Sequence, residues 1–316
     1  MRAMLLVNPK ATTTNPRTRD VLIRALGAAV DLTVEETGYR GHAAALASTA
    51  RARGYDAVAV LGGDGTVNEA VNGLLTAVDG GVTDASERPA LIVIPGGSAN
   101  VFARALGLPN DPVEATGAVL EALHEGRSRS VGLGRALWED QSRYFTFCSG
   151  LGYDAEVVRA VEGLRGAGRK ATPARYVNTA LRHYLITDKR RPSMTVSGPG
   201  FTPAEGVFMA IVSNTSPWTY VGSHPVSPTP WASFETGLDL LGLRRMGLPA
   251  MTALIRQILT QSDGLPSGRN LVQLHDEPEF TISAERPVAF QLDGDYLGEC
   301  ESITFRATPD ALQVLV

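Results

Sequence analysis

The stretch VAVLGGDGTVNEAV, residues 58–71, sets one carboxylate, Asp64, between Gly63 and Gly65 where an apolar run turns into a helical pattern. A glycine-rich turn between a parallel strand and a helix points backbone N–H groups outward at the positive end of the helix dipole, which suits phosphate. Gly62 and Gly63 let the backbone come close to a ligand, and Thr66 can cap the helix that follows. Beside a bare phosphate, Asp64 is misplaced. With a cation between them, carboxylate, Mg²⁺ and phosphate form a coherent set. An Asx-type turn with no ligand is the plainer alternative, and from this stretch alone the two readings stand level.

A second loop changes that balance. PGGSANVFARALGLP (95–109) also follows a strand pattern and opens a helix, presenting Gly96 and Gly97, then Ser98 and Asn100. VNPK (7–10) closes the first strand in the same manner. Loops at the C-terminal ends of neighbouring parallel strands lie side by side, where open α/β sheets bind ligands. The phosphate-loop pattern GxxxxGK[ST] and the dinucleotide pattern GxGxxG are both missing, so a nucleotide here would need a different glycine architecture. Far downstream, QLDGDYLGE (291–299) sets Asp293 and Asp295 about Gly294, which taken alone reads as an acidic β-turn. The five histidines show no zinc-ligand spacing. Ser149 in CSGLG lacks the GxSxG frame of a nucleophile elbow.

The elements that must hold these loops differ between the two halves. AMLLVN (3–8), LTVEE (32–36), AVAVL (57–61) and ALIVI (90–94) read as strands. Helical patterns over 17–30, 41–54, 67–75, 99–106 and up to Gly126 alternate with them, which predicts a parallel sheet covered on both faces. After about residue 130 the chain breaks into short β-branched and aromatic runs separated by turn residues. These are FTFCSG, SMTVSG, GVFMAIVSN, LDLLGL, LVQLH, FTISA, VAFQLD and SITFRA. They predict an antiparallel sandwich or barrel, interrupted by helices near 153–162, 173–187 and 249–261. Residues 216–231, with four prolines, read as a long ordered loop.

A chain of 316 residues suits two domains, and 44% hydrophobic with 20% charged residues is a globular composition. The net charge of −4 gives no electrostatic case for nucleic acid. Cys148 and Cys300 are far apart in sequence and suggest a reduced, cytoplasmic setting. No apolar run approaches the ~20 residues of a membrane span.

GGDGTVNEAVNGL followed by PGGSANVFARALGLP, together with VNPK, FCSGLGYDAEVV (147–158) and QLDGDYLGE, resembles the diacylglycerol kinase catalytic-domain family. That family includes bacterial diacylglycerol and other lipid kinases, and is related to sphingosine and ceramide kinases. GGDG alone is shared with NAD kinases and phosphofructokinases; the ordered set is far more specific. The resemblance implies an N-terminal α/β domain with a parallel sheet of the NAD-kinase and phosphofructokinase type, over 1–131, with 306–316 packing back onto it. It implies a C-terminal β-rich antiparallel sandwich domain with helices, over 132–305, that receives the lipid. ATP would lie against Asn8, Thr37, Gly63, Asp64, Gly65, Thr66, Asn68 and Ser98, to which the loop chemistry adds Gly62, Gly97 and Asn100. Asp64, Asp293 and Asp295 become the catalytic set, with Asp295 in the place of the acceptor of the substrate hydroxyl proton, where the family usually has Glu.

The departures bear on the metal. Val101 and Gly132 stand where family members commonly carry acids that join the GGDG aspartate in a water-bridged Mg²⁺ network. Thr236 stands in place of an aspartate of a further Mg²⁺ site. Mg²⁺ would then arrive only with ATP, held by phosphates and Asp64. Between Arg159 and Arg191 nine Lys/Arg face two acids, with apolar residues interleaved, which fits peripheral docking on a membrane that presents the lipid substrate. A homodimer is compatible with all of this. The competing functional readings are an NAD-kinase-type enzyme and a nucleotide- or lipid-binding protein with little catalysis.

Overall fold

The structure is a computed structural model that describes residues 1–11, 15–76, 88–166, 194–245, 247–260 and 264–316. These fold as two compact units, Met1–Leu133 with Pro309–Val316, and Gly134–Thr308. Most of the basic stretch and the helix expected at 173–187 lie outside the described residues.

In the first unit, strands β1 (Arg2–Val7), β2 (Asp31–Glu36), β3 (Ala57–Gly62) and β4 (Ala90–Pro95) pair in parallel in the order β2-β1-β3-β4. They alternate with helices α1 (Pro16–Ala29), α2 (His42–Ala52), α3 (Asp64–Leu75), α4 (Val101–Ala105) and α5 (Pro112–Glu125). The strands read as unbroken apolar runs because both faces are covered. Leu5, Ala59, Leu61, Ile92 and Ile94 pack on Leu22 and Leu26 of α1 and Val119 of α5. The alternate positions, Met4, Leu6, Val58, Val60 and Val93, are buried too.

Helix starts follow the sequence closely. Asn15 accepts from Thr18 N at 2.9 Å and Asp111 from Val113 N at 2.8 Å, each directly before a proline at the first helical position. Helices α2 and α3 are joined more tightly. Glu69 of α3 accepts from Gly41 N and Ala43 N at the start of α2, and Arg51 of α2 donates to the carbonyls of Gly73, Leu74 and Thr76 at the end of α3. A Cβ on Gly73 would lie 2.1 Å from Ala44 O, so only glycine permits this approach.

Strand β5 (Arg129–Trp138) carries the chain into the second unit and pairs with β6 (Gln141–Phe145). Next come β7 (Cys148–Gly152), α6 (Tyr153–Gly166), β8 (Met194–Gly198), β9 (Phe201–Val207) and β10 (Met209–Ser213). After them lie β11 (Thr219–Val221), β12 (His224–Val226), β13 (Leu238–Leu243), α7 (Leu248–Thr260), β14 (Leu271–Glu277), β15 (Glu279–Leu292) and β16 (Asp295–Val314). The order β14-β13-β10-β7-β15 is antiparallel throughout. One face holds Ala210, Val212, Leu240, Phe290 and Leu292 in a core with Phe145, Phe280 and Phe305. The other face, through Met209, Ile211, Leu241 and Leu243, packs on Tyr153 and Val157 of α6 and Leu254 of α7. The fold class is thus the one expected, a parallel α/β unit and an antiparallel strand-rich unit with few helices.

Several boundaries differ from the sequence reading; FTISA and VAFQLD run on as the single strand β15, and SITFRA lies within the longer β16. FTFCSG is two strands, broken at Thr146 and Phe147, whose amides turn to a side chain. GVFMAIVSN divides at Phe208 between β9 and β10. The 216–231 loop contains the hairpin β11–β12, turned at Gly222 with φ +64°. The end of β16 returns to the first unit, where Val314 pairs in parallel with Leu91 of β4.

Candidate functional site

In the first unit, loops at the C-terminal ends of β1, β3 and β4 converge. Asn8, just past β1, is held by its backbone N–H on Leu61 O at 3.0 Å. Its side chain accepts from Lys10 N at 2.9 Å and donates to Thr66 Oγ1 at 3.0 Å, tying VNPK to the first turn of α3. Thr37, after β2, donates its backbone N–H to Val7 O at 2.9 Å.

The β3–α3 and β4–α4 loops touch backbone to backbone. Gly96 N donates to Gly62 O at 2.8 Å. A Cβ on Gly97 would lie 2.6 Å from Gly63 Cα, and one on Gly96 3.1 Å from Gly62 Cα. The glycines are therefore required by contact between the loops before any ligand is considered.

Asp64 is the first residue of α3, half-buried, and its Oδ1 accepts from Phe102 N of α4 at 3.2 Å. It thus couples the first turns of two helices, a partner the sequence does not reveal. Asn100, at φ +49°, is wholly engaged inside its loop: Oδ1 accepts from Gly97 N at 2.8 Å, and Nδ2 donates to Gly97 O and to Asn110 Oδ1. Asn68 is fully buried and accepts from Asn72 Nδ2. Ser98 is exposed, and Gly63, Gly65 and Thr66 are partly so. The accessible edge therefore consists of small and hydroxyl-bearing residues, Gly63, Gly65, Thr66 and Ser98, around one carboxylate.

Among the described residues, no group of three or more His, Cys, Asp or Glu side chains could hold a metal ion. Val101 is 2% exposed, its side chain spent on packing. The Thr236 hydroxyl lies 3.1 Å from Ser233 O and 3.3 Å from Gly237 O, donating within its own turn. A single carboxylate suits Mg²⁺ only where phosphate oxygens supply most of the ligands, the usual manner in which Mg²⁺ binds beside nucleotides.

In the second unit, the Asp293–Gly294–Asp295 turn joins β15 to β16. Asp293, at φ +49°, is buried, and each of its oxygens accepts two hydrogen bonds. Oδ2 takes Thr146 N at 2.7 Å and Thr146 Oγ1 at 2.8 Å; Oδ1 takes Phe147 N at 3.0 Å and Cys148 N at 3.1 Å. This is the interaction that breaks FTFCSG. Burial pushes the Asp293 pKa up and the four donors oppose it. Asp293 anchors the turn.

Asp295 differs. It is partly exposed and pairs with Arg143 of β6, Nη2 to Oδ2 at 3.2 Å. A second support runs beneath. Gln291 Oε1 accepts from Gly294 N at 2.8 Å, while its Nε2 donates to Asp154 Oδ2 at 3.0 Å. Asp154 lies at the start of α6, and burial raises its pKa to about 6 against the opposing Gln291 hydrogen bond. Ser149 donates to Gln291 O at 2.9 Å, so its hydroxyl belongs to the same framework. Arg143, Thr146, Asp154 and Gln291 were not singled out in the sequence. Only Gln291 carried a signal, an amide inside the apolar run VAFQL.

Comparison with known proteins shows what the chain is similar to. Residues 2–136 match the model of the diacylglycerol kinase catalytic domain. The chain is 38% identical over 318 residues, 98% of its length and 91% of the relative's, to the "Probable lipid kinase YegS-like" of Chromohalobacter salexigens. It is 34% identical over 146 residues, 46% of this chain and 41% of the relative, to a diacylglycerol kinase of Staphylococcus aureus. A diacylglycerol kinase structure from Bacillus anthracis shares the fold, with a TM-score of 0.70 at 20% identity, covering 99% of this chain and 96% of that one. An NAD kinase from Archaeoglobus fulgidus, in complex with ATP, is more distant, at a TM-score of 0.53 and 12% identity over 100% of this chain and 94% of that one.

Proposed function

The chain belongs to the diacylglycerol kinase catalytic-domain family of lipid kinases, phosphotransferases with an alcohol acceptor, and from that premise we propose that it transfers the γ-phosphoryl group of ATP to a hydroxyl of diacylglycerol or a closely related lipid. The observation that carries the reading is the partly exposed Asp295 carboxylate fixed by Arg143 in the second unit; the first unit, taken by itself, holds two glycine loops in backbone contact. Phosphoryl transfer asks for little else from a protein. It needs the triphosphate held, its charge offset, and an in-line hydroxyl whose proton has an acceptor.

Each residue then has a task. The loop backbone at Gly65 and Ser98, beside amides of Thr66 and Gly97 that are already engaged within their loops, binds phosphate oxygens. Asn8 and Thr37 sit at the rim and meet the rest of the nucleotide. Asp64 is the residue that would hold a Mg²⁺ arriving with ATP, and that ion would offset phosphate charge. Asn68 and Asn100, both internally bonded, hold their loops in shape. Asp295 receives the proton of the lipid hydroxyl, late in the transfer, when the oxygen has become acidic enough for a carboxylate to accept it. Arg143 directs the Asp295 carboxylate. Asp293 and the Gln291–Asp154 couple keep the turn that carries Asp295 from rotating.

The test is transfer of labelled phosphate from ATP with Mg²⁺ to a set of lipid alcohols in mixed micelles, with NAD as a parallel acceptor. Labelled phosphatidic acid from diacylglycerol supports the reading. Transfer to NAD alone, or to no lipid alcohol in the set, overturns it.

A further inference from the structure

Helix α7 carries more apolar surface than its own unit covers. Leu254 is buried, and Met251 and Ile258 are partly buried, on the cluster formed with Tyr153, Val157, Ile211 and Leu241. Successive residues lie about 100° apart around a helix, so these three share one side. Leu248, Ile255 and Leu259 come next around the helix, within about 40° of one another, and they are 59%, 49% and 45% exposed. Single exposed aliphatic side chains need no explanation, but three in one stripe do.

Charge borders that stripe. Arg256 lies on its outer flank, and Arg244 and Arg245 lead into the helix; all three are exposed. Residues 244–260 contain three arginines and no Asp or Glu, in a chain of net charge −4. Aliphatic side chains in one row with cations along the edge make the composition of a helix that lies in a bilayer interface. A second copy of the chain fits less well, because a two-fold contact on this face would bring both sets of arginines together without counter-charge. Among the described residues no helix is long and apolar enough to cross a membrane, so contact through α7 would be peripheral.

We propose that α7 docks the protein on an anionic bilayer, with Leu248, Ile255 and Leu259 entering the boundary between headgroups and acyl chains and Arg244, Arg245 and Arg256 meeting lipid phosphates. The inference rests on the lipid-kinase reading only in that a water-insoluble alcohol must be met at its membrane.

The experiment is co-sedimentation of the full chain with vesicles of phosphatidylcholine alone and of phosphatidylcholine mixed with phosphatidylglycerol. Arg244→Gln/Arg245→Gln/Arg256→Gln should lower partitioning onto the mixed vesicles by about 10²-fold, as three basic residues at an anionic surface imply. Leu248→Ser/Ile255→Ser/Leu259→Ser should lower it by at least about 10-fold, the consequence of withdrawing three aliphatic side chains from the interface. Both variants should melt as the parent does and phosphorylate a water-soluble short-chain diacylglycerol at the parent rate. Parental binding by both variants, or equal binding of the parent to the two vesicle types, would overturn the proposal. So would a fall in melting temperature or a loss of dimers in the serine variant, since the stripe would then be covered within the protein or by a second copy. If the parent binds mixed vesicles yet fails on the short-chain substrate, the docking surface stands and the kinase reading falls.

Discussion

The Asp154 carboxyl gives a prediction whose sign and size come directly from the structure. Its pKa rises from 3.8 to about 6 because it is buried, with Gln291 Nε2 donating to it as the opposing influence. A group that holds its proton more tightly in the folded state contributes stability that is complete below its unfolded pKa and lost as pH rises through the folded one. The window here runs from about 4 to about 6. At about 1.4 kcal/mol per pH unit, burying the ionised carboxylate costs about 3 kcal/mol at neutral pH relative to a neutral group. Asp154→Asn removes the charge and keeps a carbonyl oxygen to accept from Gln291. Its amide still needs an acceptor, so about 3 kcal/mol is an upper figure. Urea denaturation of both proteins at pH 4.5, 6 and 7.5 separates this group from all others, because the remaining carboxylates cancel in the difference. The variant should be more stable than the parent at pH 7.5, with the advantage falling to about 1 kcal/mol at pH 4.5. A difference independent of pH would refute the reasoning, as would a parent that gains on the variant as pH rises.

Further outcomes follow from the same contacts. Gly97→Ala places a Cβ 2.6 Å from Gly63 Cα, so it should separate the two loops, cost about 2 kcal/mol in thermal denaturation, and weaken ATP binding measured by calorimetry. Gly73→Ala, 2.1 Å from Ala44 O, should destabilise at least as much with less effect on the nucleotide affinity of whatever folds. Asp293→Asn turns an NH₂ towards one of the two donor pairs, either Thr146 N and Oγ1 or Phe147 N and Cys148 N; a loss of about 3 kcal/mol is expected in chemical denaturation. Arg143→Gln should lower kcat for lipid phosphorylation by about 10–100-fold with little change in the KM for ATP, the pattern of lost positioning.

Much of this was legible in the sequence, for identifiable reasons. Strands buried on both faces are written as unbroken apolar runs, so β1, β3 and β4 and the glycine loops after them stand out. Caps such as Asn15–Pro16 and Asp111–Pro112 mark helix starts within a residue. The second unit was harder to read where side chains override the backbone pattern. FTFCSG looks like one strand, yet Asp293, almost 150 residues later, draws three of its amides out of the ladder. GVFMAIVSN hides its break for want of a turn residue at Phe208. The glycines were read for a ligand, whereas the Gly63–Gly97 contact gives them a prior task in packing. Nothing in QSRYF distinguishes Arg143, because its importance comes only from the β5–β6 hairpin that carries it to Asp295. Asp154 was inside a quoted motif, but its link through Gln291 to Gly294 is a three-dimensional fact.

The central claim is that Asp295 accepts the proton of a lipid hydroxyl as phosphate leaves ATP. It is tested most directly by Asp295→Asn, assayed for diacylglycerol phosphorylation beside a calorimetric titration with ATP. A fall of about 10²–10⁴-fold in kcat with ATP affinity kept is the predicted result. Lipid phosphorylation near the parental rate by a folded Asp295→Asn protein would contradict it.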